Sequence, residues 1–103
     1  MRTHYAEYVK HALRFYTKSR MNASSEQPHF KTEADKKNWV ACQAAFNTYS
    51  DEERKVFMTL YTIVSPFPEA VMMTAKDYHM EQNHVWSMAN DLEKKVAKRR
   101  GLI

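Results

Sequence analysis

The chain has 103 residues, one domain's worth, and its 44% hydrophobic and 13% aromatic content is enough for a packed core. A single glycine and three prolines count against an all-β fold, which needs turn residues at short intervals, and favour a few long helices. A net charge of +4 points toward nucleic acid or another acidic surface as partner.

The charge is unevenly spread. Residues 1–20 carry five basic side chains against one acidic, and residues 81–103 carry five against three. Residues 51–80 reverse the balance, with three against five. The lone cysteine, Cys42, excludes an intramolecular disulfide framework. No apolar run follows the opening MRTHY, and no stretch has the length and apolarity of a membrane span. A cytoplasmic protein without membrane association is therefore expected.

In chain order, Tyr5, Val9, Ala12, Leu13 and Tyr16 line one face of a helix, with Glu7, Lys10, Arg14 and Lys18 on another. Residues 21–31 hold Asn22, Ser24, Ser25 and Pro28 and no periodicity, which reads as an exposed loop. This basic helix and loop, 1–31, precede a helical core over 32–103 within a single domain. Thr32 can cap a second helix, with Glu33 and Asp35 complementing its dipole and Trp39, Cys42, Phe46 and Tyr49 forming a buried seam. Ser50 and Glu53 have capping-box spacing at the start of a third helix, whose stripe is Val56, Phe57, Leu60, Tyr61 and Val64 and which Pro66 and Pro68 end. Two more helices are expected, at about 69–79 and about 81–100, with Gly101 as the stop. The fold class is thus all-α, about five helices.

The last two helices have the apolar spacing of a helix-turn-helix over about 69–100. Ala75 is the small residue at the crossing, Tyr78 and Met80 flank the turn, and Val85, Met88, Ala89, Leu92 and Val96 point inward. Gln82, Asn83, Trp86, Ser87 and Asn90 face outward. Of these, Gln82, Asn83, Ser87 and Asn90 can hydrogen-bond to base edges, and Asn or Gln suits adenine. Lys94, Lys95, Lys98, Arg99 and Arg100 can hold phosphates, against the plainer reading of cations solvating a helix end. His79 stands where the turn usually has glycine. Glu81 stands where a reading helix usually begins with serine or threonine, and would repel phosphate.

The segment 75–103, AKDYHMEQNHVWSMANDLEKKVAKRRGLI, resembles the C-terminal region of phage-type transcriptional regulators of the ArpU/RinA kind, whose helix-turn-helix is similar to the DNA-reading domain of sigma factors. The resemblance also touches 49–61, YSDEERKVFMTLY, and covers roughly the second half of the chain. It implies regulation of phage or mobile-element genes by promoter binding, with base contacts on Gln82, Asn83 and Ser87 and phosphate contacts on the basic tail. Double-stranded DNA is the expected partner. A homodimer over a two-fold site and contact with the transcription machinery fit the same reading.

The competing expectation is a helical adaptor that does not bind DNA, using Trp86 and the methionines as its contact surface. For Trp86 itself the core edge is the favoured place, since tryptophans more often belong there than on a contact surface. Chemistry of other kinds has little support. His79 with His84, and His4 with His11, lack metal-site spacing, Cys42 sits within the buried seam, and one glycine cannot build a phosphate loop. The expectation is a non-enzyme with no cofactor and no metal.

Overall fold

In the computed structural model, which describes residues 5–22 and 30–103, five helices follow one another and no strand occurs among the described residues. They are α1 (Ala6–Asn22), α2 (Glu33–Phe46), α3 (Asp51–Thr62), α4 (Phe67–Asp77) and α5 (Gln82–Arg99). The all-α expectation holds.

Local chemistry sets the boundaries. Thr32 caps α2 by accepting from the Asp35 amide, and Ser50 and Glu53 form a reciprocal capping box at α3. At the end of α5, Gly101 takes φ +79°, the Leu102 amide donates to Ala97 O and the Gly101 amide to Lys98 O. This is a Schellman stop. Of the loop expected at 21–31, Met21 and Asn22 belong to α1 instead, and residues 23–29 lie outside the described residues.

Two expectations are corrected around the prolines. Pro66 and Pro68 do not terminate α3, which stops at Thr62; they start α4, which begins two residues earlier than its pattern suggested. The physical reason is that a first-turn amide has no intrahelical acceptor, so proline loses nothing there. Val64 consequently falls outside α3 and is 99% exposed rather than part of its stripe.

The core draws on every helix, with Val9, Leu13, Phe46, Phe57, Leu60, Val71, Val85 and Leu92 among its members. Tyr16 meets Trp39 and Phe46 edge-on, and Phe57 meets Tyr49 in the same way. The basic first helix is therefore an integral wall, packed on α2, α3 and α5.

One of its cations is also a core residue. Lys10, expected on the polar face, is buried and donates to Glu93 Oε1 at 3.0 Å, while the Tyr61 hydroxyl donates to Glu93 Oε2 at 2.7 Å. Lys10 Nζ also lies 4.8 Å from the centre of the Phe67 ring. The triad ties α1, α3 and α5 together. Its low-dielectric setting and the carboxylate beside it hold the Tyr61 phenol well above its ordinary pKa.

Candidate nucleic-acid interface

The link between α4 and α5 is four residues, Tyr78 to Glu81. His79 adopts φ +53°, the left-handed region, with its amide donating to Lys76 O and the Met80 amide donating to Ala75 O. The turn is a second Schellman motif, with histidine in the place glycine normally fills. The Tyr78 hydroxyl lies 2.8 Å from Thr59 Oγ1 and donates to Lys55 O, fastening the turn to α3. Ala75 and Val85 are buried beneath it, and Met80 and Met88 are partly buried against the core.

This packing fixes the rotation of α5. Val85, Ala89, Leu92 and Val96 point into the core, so Asn83, Ser87, Asn90, Lys94 and Lys98 fall on the opposite side and are all exposed. On a helix of 3.6 residues per turn these five share an arc of roughly 80°. They form one strip over roughly 22 Å, with amides and a hydroxyl at its N-terminal half and ammonium groups beyond. Gln82 is exposed but lies about 100° round the helix from Asn83, so it borders the strip. Glu81 is the exposed cap residue and its side chain makes no capping bond. Trp86 lies at the core edge, the placement favoured for it over an outward contact. It meets the Phe67 ring edge-on at 5.4 Å.

The basic tail does not act as one cluster. Lys94 and Lys98 lie on the strip with no hydrogen bond or ion pair among the described residues. Lys95 is turned away: it pairs with Asp91 at 3.4 Å, donates to Thr48 Oγ1 and lies 4.0 Å over the Tyr49 ring. Tyr49 donates to the same Asp91, a bond that holds the Asp91 carboxyl below its usual pKa. Arg100 reaches back to donate to Asn38 Oδ1 and, at 3.5 Å, to the Tyr8 hydroxyl. Arg99 is exposed but about 100° from Lys98, facing α2.

Beside the strip, Asn90 and Lys94 also line an open groove of about 930 Å³, with Arg14 on the α1 side and Phe67 and Trp86 along its wall. Nothing in the local pattern of α1 signals that Arg14 would face α5. Elsewhere, burial pushes the Cys42 thiol up to about 12, which makes it a packing residue rather than a nucleophile. Among the described residues no three histidine, cysteine or carboxylate side chains converge, and no helix is long and apolar enough to cross a membrane. Comparison with protein-family models, with curated proteins and with solved structures finds no match for this chain.

Proposed function

We propose that this chain is a sequence-specific DNA-binding regulator that uses α4, the Schellman turn and α5 as a helix-turn-helix. The observation that carries the reading is the single exposed strip on α5, where Asn83, Ser87 and Asn90, able to hydrogen-bond to base edges, run into unpaired Lys94 and Lys98. A major groove is about 12 Å wide and accepts one helix. Asn83 to Asn90 spans roughly 10 Å of axis, which suits base edges, and Lys94 and Lys98 then emerge where the backbone phosphates run. Gln82 borders the base-reading residues. Lys95, Arg99 and Arg100, engaged or turned aside, contribute to the field rather than to this contact. The resemblance of 75–103 to phage-type regulators agrees with this reading and suggests phage or mobile-element promoters as targets. A homodimer would double the few base pairs one such helix covers.

The test is fluorescence anisotropy against random-sequence duplex DNA across a salt series. Micromolar binding that weakens steeply with salt is expected, and Lys94→Ala with Lys98→Ala should lower the log–log salt slope by about 2. Arg99→Ala should leave the slope nearly unchanged. Absence of binding at low salt would sink the proposal and favour the adaptor reading, for which Met72 and Met73, both about half exposed on α4, offer a surface.

A further inference from the structure

A second basic surface lies away from the strip. Lys36 and Lys37 of α2 and Arg99 and Arg100 at the end of α5 surround a shallow groove of about 470 Å³ whose floor is Val40, Ala41 and Ala44. Glu33 is the one carboxylate on its rim, so the groove carries an excess of three positive charges. Among the described residues no carboxylate pairs with any of the four cations, and the partners of Arg100, Asn38 and Tyr8, are neutral. In the middle of this ring Val40 is 49% exposed. Valine is a poor choice for a solvent-facing helix position, because its β-branch loses rotamer freedom there and gains no burial.

We propose that this α2–α5 groove docks an acidic segment of another protein, one that seats an apolar side chain on Val40 and Ala44 and sets carboxylates against Lys36, Lys37 and Arg99. Charge complementarity selects an anionic partner, and the apolar centre selects a polypeptide over a nucleic acid backbone, whose charged sugar–phosphate chain carries no apolar side chain to seat there. Position argues the same way. Arg99 is about 100° round α5 from Lys98, and Lys36 and Lys37 stand on a different helix, so a straight duplex lying on the strip does not also cover this groove. The surface would let the chain hold DNA and a protein partner at once, and it does not depend on the DNA reading being right.

The probe is a fluorescein-labelled amphipathic helical peptide with leucines on one face and glutamates on the others, titrated with the full chain. Saturable binding is expected. Val40→Ser alone, and Lys36→Glu with Lys37→Glu, should each weaken it about tenfold; Val40→Ser leaves duplex titrations as in the parent, the charge reversal leaves their log–log salt slope as in the parent, and circular dichroism confirms the fold. A control peptide with serine in place of leucine should bind at least tenfold more weakly. No binding of the leucine peptide, or equal binding by parent and variants, overturns the proposal. So does a charge reversal that lowers the duplex salt slope by about 2, which would make the groove part of the DNA footprint. If the parent fails to bind duplex yet holds the peptide as described, the groove stands and the DNA reading falls.

Discussion

Replacing Glu93 by leucine should be among the most damaging single changes in this protein. Glu93 accepts from Lys10 at 3.0 Å and from Tyr61 at 2.7 Å, and its side chain and that of Lys10 are only 6% and 10% exposed. Leucine leaves a buried ammonium without its counter-charge, at a cost of about 3–5 kcal/mol, and a buried phenol without an acceptor, at a further ~1–3 kcal/mol. Against a total stability of about 5–15 kcal/mol, that is a large share. At about 4–8 °C per kcal/mol, the melting temperature should fall by at least roughly 12 °C. Urea unfolding followed by tryptophan fluorescence gives the free energy directly, provided the slope is unchanged.

The control is to remove the whole polar cluster at once, as Lys10→Met, Tyr61→Phe and Glu93→Leu together. Volume is roughly kept and nothing charged is left buried, so the triple variant should be close to the parent in stability, or above it. The stabilities would then rank with the single variant lowest, an order that area loss alone does not produce. A loss below about 1 kcal/mol for Glu93→Leu would refute the argument. It would mean that Lys10 reaches water through the adjoining groove, which both residues line, and that the pair behaves like a surface one.

His79→Gly should stabilise the fold by about 0.5–1 kcal/mol, since relief of about 1–2 kcal/mol of left-handed strain at φ +53° outweighs the extra chain entropy of glycine. A loss in urea midpoint would instead show that the imidazole makes a contact worth more than the strain. Thr74→Val removes a buried hydroxyl that has no hydrogen-bond partner among the described residues and should raise stability by about 1 kcal/mol, read from the same unfolding curves. Alkali should destabilise the protein. Burial keeps the Tyr61 phenol protonated in the fold, so above its ordinary value of 10.0 the unfolded chain binds fewer protons and stability is lost as pH rises. Tyr61→Phe, though less stable at neutral pH, should then show a fall above about pH 10 that is shallower by up to ~1.4 kcal/mol per pH unit. An unchanged slope would place the effect on other groups.

Much of this fold is legible in the sequence because its signals are local. Thr32, Ser50 with Glu53, and Gly101 each satisfy backbone groups within a few residues of themselves, and the structure uses them so. The prolines were ambiguous for a physical reason: the same residue stops one helix or opens the next, depending on which amides are already without partners. The buried triad was not legible from periodicity, because Lys10 and Glu93 are 83 residues apart and each looks like a solvated charge on its own helix. One clue was present. Glu93 stands four residues after Ala89 and three and four before Val96 and Ala97, all buried, so it occupies a core position by spacing alone.

The basic tail shows why composition and position say different things about a site. Read as a string, KKVAKRR is one cationic cluster, but successive residues of a helix point about 100° apart. Packing of Leu92 and Val96 into the core therefore divides the cluster. It sends Lys94 and Lys98 to the strip with Asn83, Ser87 and Asn90, Lys95 to Asp91, and Arg99 and Arg100 toward α2. Charge counted along the chain overstates what any one phosphate surface receives, because two ammonium groups, not five cations, share a face with the amides. It also understates the surface near Val40, whose charge comes half from α2 and half from α5. On these terms α5 is a two-sided element. On the proposed readings its outward strip meets a duplex, while its C-terminal end completes a groove matched to an acidic polypeptide.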